Sequence, residues 1–332
     1  MDKNAWKALL RLPLQVLSLA VVCCVPALAG TLSIQVENDS FDGASDAYYT
    51  QGMQLGYSPD SAPEWSRWLL PWTDDGRELH AQYFLGQAIF TPYEIERPEL
   101  ILDDRPYAGW LYLGMSVTSA QLRPESHLKV IDRLDVSAGI VGPSSGAQRV
   151  QRWAHDLVRA YKVNGWDNQL HDEPALLVSC GRKWAYINSI GESALDWELS
   201  GNLGGSLGNV STQVAAGVGM RFGRDLYASA SLDGLPPLTQ APGLAGGTLD
   251  LGWYFFTDWQ QRYIARDIFL DGNNFKDSHS VEKETSVGDW RFGFGFATGR
   301  FTWSAYHVRR SREFVGQYEN VNFSGLGVMA TF

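Results

Sequence analysis

Cysteine is nearly absent from this chain. Three of its 332 residues are Cys, and two of them, Cys23 and Cys24, lie in the first 29 residues. Only Cys180 remains beyond that segment, so no internal disulfide can staple an exported form. After residue 29 no apolar run reaches eighteen residues, which excludes helical membrane spans. Basic residues are in deficit: 27 Lys and Arg stand against 37 Asp and Glu, for a formal charge of −10. A nucleic-acid binder would carry a basic stripe instead. Gly and Pro together make up 48 of the 332 residues, too few for a collagen-like or low-complexity chain.

What is plentiful is aromatic surface. With 13 Trp, 14 Tyr and 15 Phe the chain can bury far too much area to stay disordered. Yet its mean hydropathy is only −0.19. Aromatic-rich, Gly-rich and weakly hydrophobic is the average expected of a barrel with one face in lipid and the other in a polar or packed interior.

Residues 1–29 have the layout of an export signal. Lys3, Lys7 and Arg11 supply the positive start, Leu12 to Val25 is mostly apolar, and Ala27-Leu28-Ala29 is a cleavage site of the A-x-A kind. No lipobox precedes Cys23. The chain therefore divides into a signal at 1–29 and a mature barrel at 30–332, carrying 24 basic and 36 acidic residues.

Beyond Gly30 the recurrent pattern has period two. Leu134, Val136, Ala138 and Ile140 alternate with Asp135, Ser137 and Gly139. Trp290, Phe292, Phe294 and Phe296 alternate with Arg291, Gly293 and Gly295, and Leu326, Val328, Ala330 and Phe332 with Gly325, Gly327 and Met329. Such alternation sends one set to each face of a sheet. Candidate strands fall near 31–37, 51–58, 80–90, 109–119, 127–141, 174–185, 192–204, 209–222, 225–232, 247–257, 260–270, 286–298, 300–312 and 318–332. The fold class expected is all-β: a transmembrane antiparallel β-barrel of about 12 strands, the usual spacing for such chains. The terminal Phe332 resembles the end that outer-membrane proteins present to their insertion machinery. A soluble β-sandwich is the competing architecture.

One segment departs from this rhythm. Over 146–162, Val150, Trp153, Ala154, Leu157, Val158 and Tyr161 share one helical arc, and Gln148, Gln151, Arg152, His155 and Arg159 share the other. An amphipathic helix is expected there, in a loop, with its apolar arc on the barrel wall or in the lipid interface. Its polar arc then aims His155 and both glutamines at one spot.

Three polar clusters sit at strand ends: Glu37-Asn38-Asp39, Tyr48-Tyr49-Thr50-Gln51-Gly52, and Asp103-Asp104-Arg105 continuing to Trp110. Asn38 and Asp39 are oxygen donors suited to a hard cation such as Ca²⁺. A neutral imidazole near such a cation can take a proton from water that attacks an ester, while the cation and nearby amides hold the oxyanion. No H-E-x-x-H is present, and no serine elbow of the G-x-S-x-G kind is expected. Read from the residues alone, His155 is as readily a solvated helix residue, Asn38-Asp39 turn chemistry, and Asp104-Arg105 a structural ion pair at a barrel rim.

The run Val36-Glu37-Asn38-Asp39, then Tyr49-Thr50-Gln51-Gly52 with Leu55-Gly56-Tyr57, resembles the start of the LpxR family of outer-membrane lipid A deacylases. Asp104-Arg105 with Ala108 resembles it too. So does Gly139-Ile140-Val141-Gly142-Pro143, followed by Gly146, Gln148, Val150, Gln151, Ala154-His155, Trp166 and Gln169. The resemblance covers about the first 140 residues of the mature chain. It implies a twelve-stranded barrel with its site between the wall and a loop helix, and removal of an acyloxyacyl group from lipid A with Ca²⁺ required. It implies His155 as the general base, Asn38 and Asp39 near the cation and oxyanion, and Thr50 and Gln151 as further active-site residues. Arg97, Arg105 and Gln148 are the candidates to hold the substrate.

Two departures bear on the substrate. Where the family carries a basic pair, this chain has Glu94, Glu96 and Glu99 with only Arg97 between them. The family's acidic residue late on the loop helix is matched by Tyr161. The expected partners are lipid A or lipopolysaccharide, the outer membrane and its insertion machinery, for a monomer with no nucleic acid bound. The alternatives are a non-catalytic barrel, acting as a channel or structural protein, and a phospholipase using a Ser assisted by His.

Overall fold

A computed structural model describes residues 29–42, 47–73, 77–158, 162–191, 195–228 and 249–332. The export signal lies outside the described residues, apart from Ala29. Among the described residues twelve strands close into an antiparallel barrel in which each strand pairs with its sequence neighbours. They are β1 (Gly30–Asn38), β2 (Tyr48–Pro59), β3 (Glu78–Thr91), β4 (Ala108–Arg123), β5 (Leu128–Val141), β6 (Glu173–Ser189), β7 (Asp196–Gly208), β8 (Ser211–Arg224), β9 (Leu249–Asp267), β10 (Ser286–Gly299), β11 (Phe301–Arg310) and β12 (Val321–Thr331). β1 meets β12 in register from Thr31 opposite Thr331 to Asn38 opposite Ser324. Closure leaves no unpaired edge, which is the condition for a sheet to stand in lipid.

The expected alternation holds. Trp290, Phe292, Phe294 and Phe296 are exposed on the outer wall, as are Phe255 and Trp259 of the neighbouring strand. Between them Asp289 and Arg291 point inward and are buried. The interior is packed with side chains. Arg310 donates to Asp289 at 2.9 Å and to Glu313 at 3.2 Å, and Arg262 reaches Asp289 at 3.1 Å. Arg291 pairs with Asp258 at 3.0 Å. Lower in the barrel Glu198 is held by Lys183 at 3.0 Å and by Arg221. Asp196 is buried beside this filling, accepting from the Ser189 hydroxyl at 2.7 Å and from the Leu226 amide at 3.1 Å.

Two strand expectations are corrected. The candidates 247–257 and 260–270 form one strand, β9. Asp258 interrupts the apolar run but is a lumen residue paired to Arg291, and Trp259 continues the outer face, so the period never breaks. The candidate at 225–232 is not a strand where it is described: Asp225 adopts φ 63° and Leu226–Ala228 is a short helical turn. The loop helix α1 is described over Ala147–Val158, residues 159–161 lying outside the described set. A single helical turn, α2 (Ile268–Asp271), follows β9.

Candidate active site on the outer wall of the barrel

The rim opposite the chain termini carries the loops 39–47, 92–107, 142–172, 268–285 and 311–320, and the sequence-predicted residues lie on these loops or at the strand ends beside them. Glu37 faces the lumen, so its neighbour Asn38 faces outward. The Asn38 amide donates Nδ2 to the Thr50 carbonyl at 3.0 Å. Its Oδ1 accepts from the Ser40 amide at 2.8 Å and from the Ser40 hydroxyl. Asp39 opens the helical turn Asp39–Asp42, is buried, and accepts the Ala47 amide on Oδ2 at 2.6 Å. That bond closes the loop between β1 and β2.

Thr50 occupies a break in register. Tyr49 pairs with Phe90 and Gln51 with Ile89, leaving Thr50 as the extra residue on β2. Bulges at barrel rims re-aim side chains in this way. The Thr50 hydroxyl lies 2.7 Å from that of Thr91, and both residues are buried. Thr91 shares its face of β3 with Ile89, two positions away.

Ile89 is where α1 is seated. It packs with Ile95, Tyr107, Ala147, Val163 and Trp166, with Val150 against them. Helix and wall can meet this closely because residue 109 is glycine: a Cβ there would stand 2.2 Å from both the Ala147 Cβ and the Ser145 Oγ. Gln87 of β3 adds a hydrogen bond to the Ser145 carbonyl at 2.8 Å. Gly142 at φ 111° and Gly146 at φ 72° bracket the turn that folds α1 back onto the wall.

The seating shows which side of α1 meets the wall. The buried side of α1 is centred on Ala147 and Gln151, not on the middle of the apolar arc; Trp153 and Leu157 stand exposed at 64% and 46%. Burying Gln151 is satisfied at its oxygen, which accepts from the Trp166 indole at 2.8 Å. Its Nε2 is buried with no hydrogen-bond partner. His155 and Gln148 are half-buried and fall on the arc beside Gln151. Gln151 and His155 are thus grouped by α1, Asn38, Asp39 and Thr50 by the β1–β2 rim, and β3 joins the groups through Thr91 and Ile89.

The three substrate-holding candidates are dispersed. Gln148 is on the site arc. Arg97 is exposed and sits between Glu94 at 3.4 Å and Glu99 at 3.8 Å. Arg105 is inside the barrel: 1% exposed, it donates to Glu313 at 3.0 Å and lies over the Phe90 ring. Its guanidinium is therefore not offered to a lipid headgroup. Nor does it pair with Asp104, whose carboxylate accepts the Tyr93 and Arg105 amides at 2.7 Å each and so caps the 92–105 loop. Burial raises the Asp104 pKa, against the lowering effect of those amides and of the Arg105 charge. Tyr161 lies outside the described residues.

The letters G-x-S-x-G do occur, at Gly142-Pro143-Ser144-Ser145-Gly146, against the expectation of no elbow. The Ser144 hydroxyl is exposed and donates to Asp172 at 2.7 Å; Ser145 donates to the Gly142 carbonyl at 2.6 Å. Both hydroxyls serve the turn. Thr91 and Gln87 carry no signal in the sequence, and Gly109 enters there only as a member of the cluster that ends at Trp110. Only the bulge and the seating of α1 give them a role, and neither leaves a signal in spacing.

Among the described residues no group of three or more His, Cys, Asp or Glu is placed to hold a metal. Asn38 and Asp39 carry oxygen donors of the kind a hard cation takes, and the Asn38 Oδ1 and the Thr50 carbonyl are already engaged, by Ser40 and by the Asn38 amide.

A protein-family model described as Outer membrane protein LpxR matches residues 14–332. Among solved structures, LpxR from Salmonella typhimurium superposes with a TM-score of 0.73 at 20% identity, covering 91% of this chain and 100% of that one. The β domain of the Bordetella autotransporter BrkA, at 12% identity, gives 0.45 over 92% of this chain and 100% of that one. No curated protein matches the sequence significantly.

Proposed function

This chain belongs to the LpxR family of outer membrane proteins, and on that premise we propose that it is an ester hydrolase removing an acyloxyacyl chain from lipid A. It resides in the cell outer membrane. The proposed reaction takes place in the outer leaflet, on a monomer, between α1 and the outer wall.

One observation carries the reading. Gln151 is buried, its oxygen is fixed by Trp166, and its Nε2 is an unfilled donor on the turn of α1 before His155. An unfilled buried donor costs about 1–3 kcal/mol in a structural role, and a substrate oxygen would recover that. In the proposed reaction the neutral His155 imidazole accepts a proton from water as the water oxygen adds to the ester carbonyl. Gln151 Nε2 donates to the oxygen on which charge develops. When the carbon–oxygen bond of the ester breaks, His155 returns its proton to the departing alkoxide. The products are a free fatty acid and a lipid bearing a hydroxyl. Thr50, held by Thr91, and Asn38, held by Thr50 and Ser40, line the wall side. Asp39 and Asn38 are the residues that would hold Ca²⁺, which when bound supplies positive charge near the oxyanion.

The test is mass spectrometry of lipid A incubated with the detergent-purified protein and Ca²⁺, beside the His155→Ala variant. Loss of an acyloxyacyl mass with the wild type alone supports the assignment. Equal loss with both removes His155 from the role of base. An unchanged spectrum with both, from protein shown to be folded by its heat-modifiable gel mobility, overturns the hydrolase reading.

A further inference from the structure

We propose that the exposed face of α1 reads the phosphate of the lipid headgroup, through Arg152 and Arg149, while Trp153 and Leu157 enter the acyl boundary beside them. The proposal rests on the deacylase reading and assigns its substrate recognition.

The first observation is where free cationic charge lies around the site. Arg97 is flanked by two carboxylates, and Arg105 is sealed in the lumen against Glu313. Arg149 and Arg152 are both exposed. Among the described residues neither has an ion-pair partner; Asp156, on the same exposed arc, is not paired with either. With its amide turned oxygen-outward, Gln148 accepts from both terminal nitrogens of Arg152 at 2.9 and 3.2 Å. A neutral amide holds the Arg152 guanidinium without offsetting its charge.

The second observation is direction. At about 100° per residue, Arg152 stands roughly 40° from Gln148 and 60° from His155 around the helix axis. It therefore borders the same opening as the base. Arg149 lies about 60° further round, followed by Trp153 and Leu157. A guanidinium fork matches a phosphate's paired oxygens, and an aromatic beside a cation suits the boundary between headgroup and acyl chains. Arg149 also stands in the first turn of α1, where the helix dipole disfavours a cation. A partner of negative charge removes that conflict.

The third observation is continuity. α1 is packed on the outside of β3 and β4, so its exposed arc prolongs the apolar outer wall that includes Leu85 and Leu113. An occupant of that face is a lipid of the surrounding leaflet. Charge complementarity then selects a lipid bearing phosphate.

The experiment uses the full chain in detergent and two probes: bisphosphorylated lipid A and the same lipid stripped of both phosphates. Binding is measured by native mass spectrometry, and turnover is followed in parallel. The wild type is expected to favour the phosphorylated lipid. Arg152→Gln should weaken its binding about tenfold, and Arg149→Gln with Arg152→Gln about a hundredfold, with little change toward the stripped lipid. A control removes two exposed arginines from the opposite rim, Arg123→Gln with Arg224→Gln, and should keep the preference. A double α1 variant that binds phosphorylated lipid as the wild type does overturns the proposal, as does a wild type indifferent to phosphate. Selective binding without any cleavage would instead refute the deacylase reading and leave the phosphate assignment supported.

Discussion

Tyr49 donates its hydroxyl to the Glu37 carboxylate at 2.5 Å inside the barrel, one residue before Thr50 and one before Asn38. Tyr306 donates to the same carboxylate from the far side of β12. Its ring reaches Glu37 over Gly325, where a Cβ would stand 2.2 Å from the ring. A lumen cluster thus pins the two strands whose next residues face the candidate site on the outer wall. Tyr49→Phe removes one donor from a buried carboxylate and is expected to cost about 1–3 kcal/mol. The urea midpoint in lipid vesicles measures this, and a wild-type midpoint would mean that the bond holds nothing. Lipid A turnover should fall as well, since Asn38 and Thr50 lose their fixed register.

Gly109→Val should detach α1 from the wall while the barrel persists. Even a methyl at this position meets Ala147 and Ser145 at 2.2 Å, a separation that real Cβ contacts do not tolerate. Heat-modifiable mobility should be retained and deacylation should drop at least tenfold. Wild-type turnover would show that the seating of α1 is not needed.

The packed interior makes a statement about conductance. Arg310, Asp289, Arg262, Arg291 and Asp258 bridge strands β9 to β11 within the lumen. No stepwise ion current is expected in planar bilayers. Asp289→Ala leaves the buried Arg262 guanidinium without its ion-pair partner and Arg310 with Glu313 alone, and should destabilise the barrel by about 3–5 kcal/mol. Channel openings by the wild type would favour the reading as a channel.

Glu313 gives a pH dependence. Burial alone would raise its pKa, but the charges of Arg310, Arg105 and Arg262 outweigh this and lower it from the ordinary 4.5. A depressed folded-state pKa means that the pairing stabilises fully above the unfolded value. That stability is lost as pH falls from about 4.5 through the folded value. Unfolding midpoints of the wild type should decline over that acid window, and those of Glu313→Gln should decline less. Parallel curves would exclude Glu313 as the source.

Chelation tests the cation. EDTA should abolish turnover and added Ca²⁺ should restore it, because Asn38 and Asp39 offer oxygen donors alone. Full turnover in EDTA would remove both residues from a metal-binding role.

Much of the architecture was legible because a barrel strand announces itself by a local rule. Period two in β5, β10 and β12 follows from one wall in lipid and one in the packed interior, and each strand pairs with its sequence neighbour, so topology follows from strand order. The rule failed at Asp258, where a charged residue looked like a strand end. Its partner Arg291 is thirty-three residues away, and no local window contains both. The helix was equally legible from its 3.6-residue period. Its seating was not, because the apolar arc named the side that meets lipid, while the buried side was decided by Gly109 and by the Trp166 indole waiting for Gln151.

Spacing and composition determined an exported, disulfide-free barrel with a polar helix arc bearing Gln148, Gln151 and His155. Those properties depend on residue type and period, which are read one window at a time. The tertiary structure alone decided that Arg105 is a lumen residue, that Thr50 is turned by a bulge onto Thr91, and that α1 lies against β3 and β4. Each of these depends on which distant atoms share a volume once the sheet closes, and closure is a property of all twelve strands together.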